Sequence, residues 1–212
     1  MCFWKCRALA AIALITGLLA PIHGCTKKTD KNADSLADGQ SISQSDIADE
    51  EYAVYSVLIE KIYVRPQIDP VVIMNEPVIN EFEKGDLGGT LRYVSENTPT
   101  GLPKDLVDNF KVKSQAAGFL LNRFTVSVTC VFYSKQEVND LYRNESWGKF
   151  LEKYPYRGII SFSRVGFSDD QKMALVYTGT QSGGKSGRGY YVLLAKEAGT
   201  WNIVDKVNVW TS

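Results

Sequence analysis

The residues from Gly179 to Ser186 read GTQSGGKS, which satisfies the GxxxxGK[ST] phosphate-loop pattern letter for letter. That loop works by aiming backbone amides and the N-terminus of a following helix at phosphates. Here the next residues are Gly187-Arg188-Gly189-Tyr190-Tyr191-Val192. Two glycines followed by a strand former cannot open a helix, so nucleotide binding is not expected. The SxxK and KTG-like strings inside the same stretch overlap and share Lys185, whereas the enzymes that use such motifs draw them from separate elements. Two cations among glycine amides remain, Lys185 and Arg188. Successive backbone N–H groups form concave anion sites, and Tyr190 or Tyr191 can supply an apolar wall. Lys185 and Arg188 are therefore the candidate ligand-binding pair, against the plainer reading of residues 181–188 as an exposed, flexible hairpin connection.

Other chemistry is largely excluded by composition. The single histidine is His23, and the four cysteines are Cys2, Cys6, Cys25 and Cys130. A chain cut before Cys25 has no imidazole, hence no Ser-His-Asp or Cys-His nucleophile and no His-containing zinc site. It also has no partner for an internal disulfide to Cys130 beyond Cys25. Cys130 lies in an aromatic, β-branched run and is expected as a buried core thiol. Carboxylates remain available, but Asp169 and Asp170 sit where turn formers are needed. No catalytic residue, metal site or cofactor is expected. Basic and acidic residues number 24 each, without the net-basic field of a nucleic-acid binder.

Residues 1–24 read as a signal peptide: Lys5 and Arg7, then an apolar run from Ala8 to Ala20, then Ile22-His23-Gly24 before Cys25. The run is shorter than the roughly 20 residues a permanent span needs, and basic-then-apolar is the order of a cleaved signal. Cys25 stands where a lipobox places its lipidated cysteine. Export and anchoring through acyl chains are expected, at the outer membrane if the cell has one, since Thr26 is not the aspartate that retains inner-membrane lipoproteins. Residues 25–46 are too polar to offset their own ordering entropy and read as a tether. As a flexible coil of about 20 residues it spans about 25 Å.

The elements that must position Lys185 and Arg188 come from residues 47–212, read as one domain. Ile47, Val54, Tyr55, Leu58 and Ile62 recur at helical spacing over 46–63. Val71–Met74 reads as a buried strand, the stretch around Gly85, Gly88 and Gly89 as loop, and Pro103 as a helix start burying Leu106, Val107 and Phe110. A strand is predicted over Phe124–Tyr133. Ser134 and Glu137 form a capping box, and a further helix covers Trp147–Tyr154. Four strands follow, Ile159–Phe167, Met173–Gly179, Gly189–Lys196 and Trp201–Trp210, on short connections that favour an antiparallel meander. Trp147, Trp201 and Trp210 are expected in the core. The predicted fold is α+β, with N-terminal helices packed on a C-terminal four-stranded antiparallel sheet.

The runs Phe162–Phe167, Ala174–Tyr177, Gly189–Leu194, Trp201, Val204 and Trp210–Ser212 resemble a family of uncharacterised bacterial exported proteins, most strongly over 147–212 and more faintly over 52–63. The resemblance implies one exported domain and brings no activity with it. In that family cysteines often stand where this chain has Ser182 and Ser186. The resulting expectation is an envelope lipoprotein whose domain binds a protein or small-molecule partner without catalysis. The alternative is an envelope hydrolase using two carboxylates.

Overall fold

The computed structural model describes residues 47–78, 87–144, 146–155 and 158–212. The expected signal peptide, Cys25 and the expected tether lie outside the described residues. Among the described residues no helix is long and apolar enough to cross a membrane.

The sheet is mixed and has seven strands, not four in a meander. The strands are β1 (Val71–Met74), β2 (Cys130–Tyr133), β3 (Ile159–Phe162), β4 (Gly166–Phe167), β5 (Met173–Gly183), β6 (Ser186–Glu197) and β7 (Thr200–Thr211). They lie in the order β2-β1-β3-β5-β6-β7, with β4 on β5. The antiparallel expectation holds for β3, β5, β6 and β7 but fails at the other edge, where β1 runs parallel to both β2 and β3. Such short apolar runs carry no sign of direction, and parallel pairing follows from the helical connections around them. The helices are α1 (Asp49–Leu58), α2 (Leu87–Glu96), α3 (Lys104–Lys113), α4 (Lys135–Arg143) and α5 (Trp147–Lys153). Because α4 and α5 stand between β2 and β3, the helices are not confined to the N-terminal part of the domain.

Alternation along the strands divides the core between two faces. On one face α1 buries Tyr52, Tyr55 and Leu58 against Ile73, Ile160, Phe162, Val176 and Val192. On the other, α2 and α3 bring Leu91, Val94, Leu106 and Phe110 onto Leu175, Tyr177, Tyr191 and Leu193. There α5 places Trp147 and Phe150 on Val72, Met74 and Ile159.

Three local readings are corrected. The strand expected over 124–133 is hydrogen-bonded as a strand only from Cys130. Before that point alternate amides are taken by side chains of the α1 segment and its continuation: Thr125 N donates to Ser56 Oγ (2.9 Å), Ser127 N to Glu60, and Thr129 N to Asp69 Oδ1 (2.9 Å). The run expected over 159–167 is broken at Ser163-Arg164-Val165, where Arg164 turns inward. Gly88 and Gly89, expected in a loop, lie in α2, while Gly85 is outside the described residues.

Elsewhere local chemistry sets the ends. Ser134 Oγ accepts from Glu137 N (3.2 Å) and Glu137 Oε2 accepts from Ser134 N (2.7 Å), closing the capping box at α4. α3 starts after Pro103 and buries Leu106 and Phe110. Cys130 is half-buried against the α1 core, and burial pushes its thiol up to about 11.

Candidate functional site

α1 does not end at Leu58. It widens into a π-helical turn over Ile59–Tyr63, closed by Val64 N donating to Ile59 O (2.9 Å). Irregular turns of this kind are frequent beside functional sites. The turn lands Tyr63 on the sheet, its hydroxyl 2.7 Å from Thr178 Oγ1. Burial holds that phenol well above the ordinary tyrosine range, so it stays neutral. Beyond Tyr63 the chain leaves the sheet face to reach β1, and a cleft of about 990 Å³ opens between this segment and the ends of the strands. That volume lies at the upper end of the range for small-molecule sites, roughly 300–1,000 Å³.

The floor of the cleft follows from strand register. Ile160 pairs with Thr180, Thr180 with Arg188, and Arg188 with Thr211. All four line the cleft, as one row across β3, β5, β6 and β7. Residues paired in this way share a face of the sheet, so the row passes from the aliphatic Ile160 to hydroxyl to cation within about 10 Å, at about 4.8 Å per strand. Lys206 joins the cationic end with its Nζ 4.5 Å from the centre of the Tyr190 ring, and Tyr190 also lines the cleft. Arg65 comes from the opposite wall, its Nη1 donating to Val64 O (2.7 Å).

Charge is sorted across this segment. Arg65, Arg188 and Lys206 line the cleft, and no aspartate or glutamate does so among the described residues. The acids on either side of Arg65 face elsewhere: Glu60 holds Ser127, its Oε2 accepting from Ser127 Oγ (3.1 Å), and Asp69 holds the Thr129 amide; Asp205, next to Lys206, does not line the cleft. Among the described residues no carboxylate pairs with Arg188 or Lys206. A cleft walled by protein and lined by one sign of charge concentrates its field on an incoming counter-ion.

The two residues singled out by sequence part company. Arg188 lies on β6 and lines the cleft, whereas Lys185 is exposed at the hairpin tip and does not. The flexible connection expected over 181–188 is mostly ladder. β5 runs to Gly183 and β6 resumes at Ser186, leaving Gly184-Lys185 as the turn. Two of the glycines answer to packing rather than to a ligand. A Cβ at Gly187 would come within 2.8 Å of Thr180 O and 2.9 Å of Trp210 Cη2, and one at Gly189 would strike the Trp210 indole. That indole lies over the glycines and donates to Tyr177 Oη (2.9 Å). Tyr190 reaches the cleft, while Tyr191 is buried on the opposite face. Arg65 and Lys206 escaped the sequence reading because neither lies near the glycine run; only the register of β7 on β6 and the turn after α1 bring them to it.

A second polar cluster is fully enclosed. Arg164 donates from Nε to Glu51 Oε2 (2.9 Å) and from Nη2 to Glu51 Oε1 (2.7 Å). Glu51 also accepts from Val165 N (3.0 Å) and Tyr55 Oη (3.3 Å). Both charged side chains are almost completely buried. Its groups are committed to one another, and it joins α1 to the break between β3 and β4. Asp170 accepts from Ser168 Oγ (2.7 Å) and Lys172 N (3.0 Å) as a turn former. Among the described residues no group of three or more His, Cys, Asp or Glu is arranged to hold a metal.

No family model matches the chain, and no curated protein or solved structure matches it.

Proposed function

We propose that this chain is an exported lipoprotein, anchored through Cys25, whose domain binds an anionic ligand in the cleft without chemically transforming it. The observation that carries the binding reading is the convergence of Arg65, Arg188 and Lys206 on a cleft with no lining carboxylate among the described residues. Arg188 supplies a planar fork suited to phosphate or carboxylate oxygens. Lys206 supplies a compact charge, and Thr180 and Thr211 supply hydroxyl donors beside them. The same lining argues against the carboxylate hydrolase, which needs two acids across the bound substrate.

The test is thermal unfolding of the Cys25→Ala chain in phosphate, sulfate and citrate at constant ionic strength. A ligand at about 100 times its Kd stabilises the folded state by about 2.7 kcal/mol. An anion-dependent rise in Tm in the parent that is absent from Arg188→Ala/Lys206→Ala is expected; equal rises in both would refute the site. Anchoring is tested separately. The unsubstituted chain should fractionate with membranes and Cys25→Ala should not, and an aqueous unsubstituted chain would remove the anchor.

A further inference from the structure

The three cations of the cleft do not form one cluster. Arg65 stands between Tyr63, whose hydroxyl meets Thr178 on β5 and whose ring lies 6.4 Å from that of Phe162 on β3, and Val71, which opens β1. Arg188 and Lys206 lie on β6 and β7. The sheet order is β1-β3-β5-β6-β7 along this stretch, so β5 runs between two positive poles, with Thr180 on the floor between them. From β6 to the strands that the Arg65 segment crosses is two to three strand spacings, about 10–14 Å. Arg65 Nη1 donates to Val64 O (2.7 Å), which fixes the guanidinium on its wall and leaves its other N–H groups to a ligand. Ile62 and Ile68 flank it, both half-buried, so that wall presents charge and not an open apolar surface. Among the described residues no carboxylate pairs with Arg65, Arg188 or Lys206. A small monoanion seated on Arg188 and Lys206 leaves Arg65 uncompensated on the facing wall; seated on Arg65, it leaves the other two.

We infer that the cleft takes a linear dianion, one anionic group held by Arg188 and Lys206, the other by Arg65, and the stretch between them laid over Thr180. This rests on the anion-binding reading and adds the number and spacing of the ligand's charges. Carboxylate and phosphate termini satisfy the same chemistry, since a guanidinium fork stands at each pole and an ammonium joins one of them.

The experiment is a calorimetric titration of the Cys25→Ala full chain with the α,ω-dicarboxylates from succinate to suberate, at constant ionic strength. Hexanoate, inorganic phosphate and 1,6-hexanediol bisphosphate are run alongside. Affinity should pass through a maximum with length, because a short dianion reaches only one pole and a long one must fold to meet both. The best dicarboxylate should bind roughly ten- to a hundredfold more tightly than hexanoate, the factor that a further hydrogen bond to a charged group brings. Arg65→Ala should bring that dicarboxylate down to the hexanoate level while leaving inorganic phosphate bound as in the parent. Arg188→Ala/Lys206→Ala should lose both. An Arg65-dependent advantage in the bisphosphate supports the inference with phosphate termini, and one in the dicarboxylates supports it with carboxylate termini.

Inorganic phosphate bound through Arg188 and Lys206, with no dianion of any length better than hexanoate, would overturn the dianion and leave the anion site standing. Absence of affinity for every anionic probe would overturn both. A dianion advantage that persists in Arg65→Ala would mean that the second charge is met elsewhere and would overturn the inference, as would affinity that climbs with length and never turns over. Circular dichroism of each variant, matched to the parent, keeps a folding defect from being read as lost binding.

Discussion

Truncating Glu51 should be among the most damaging single changes the domain can suffer. Its carboxylate has no exposure and accepts from Arg164 twice, from the Val165 amide and from Tyr55. Glu51→Ala strands a guanidinium whose side chain is only 4% exposed and deprives the buried Val165 amide of its acceptor, while the Tyr55 phenol keeps Ser163 O (2.9 Å). Removing one partner of a buried pair costs about 3–5 kcal/mol, because the other charge is left uncompensated. For a domain of this size each kcal/mol lowers Tm by about 2–4 °C, so a fall of roughly 6–20 °C is expected. The comparison that isolates the cause is Glu51→Leu/Arg164→Met, which removes both charges and should recover much of the loss, since apolar replacements of buried pairs are often neutral or better. Urea unfolding followed by near-ultraviolet circular dichroism measures both. A loss below about 1 kcal/mol for Glu51→Ala, or a double variant as unstable as the single, would refute the reasoning.

Gly187→Ala should destabilise by about 1–3 kcal/mol, the usual cost of overpacking, since its new methyl meets the Thr180 carbonyl and the Trp210 ring. Gly184→Ala in the same hairpin meets nothing within 4 Å and should change stability by less than about 0.5 kcal/mol; equal losses would contradict the packing account. Glu50 accepts from Lys196 Nζ (2.7 Å) and from Trp201 Nε1 (2.5 Å), and the Lys196 contact first of all holds its carboxyl below the ordinary 4.5. A depressed folded value stabilises above the unfolded value and loses that increment as pH falls through it. The stability difference between the parent and Glu50→Gln should therefore be flat above about pH 5 and shrink below 4.5; a difference growing toward acid would refute the assignment. Cys130, with its thiol pushed up to about 11, should alkylate far more slowly at pH 8 than an exposed model thiol, because the thiolate is the nucleophile. Comparable rates in native and urea-unfolded protein would contradict this.

What the sequence made legible was local. The α4 capping box needs only Ser134 and Glu137, three residues apart, and the strands β5 to β7 are long enough for composition to declare them. What it hid depends on distant partners. β1 and β2 are four residues each, too short to show whether they pair parallel or antiparallel. The break after Phe162 is imposed by Glu51, 113 residues before Arg164. The cleft was half visible: the glycine run drew attention to Arg188, but also to Lys185, which the turn carries to the tip. Lys206 looks like any solvated strand residue until β7 is laid on β6 and its ammonium meets Tyr190.

The most direct test of the anionic cleft is a titration of the isotopically labelled Cys25→Ala chain with inorganic phosphate, followed by amide chemical shifts. Shifts should concentrate at Thr180, Gly187–Tyr190, Lys206 and Thr211. They should vanish in Arg188→Ala/Lys206→Ala and persist in Lys185→Ala, since Lys185 does not line the cleft. Shifts confined to the Gly184-Lys185 tip, scattered over the surface, or unchanged in the Arg188→Ala/Lys206→Ala protein would contradict the account.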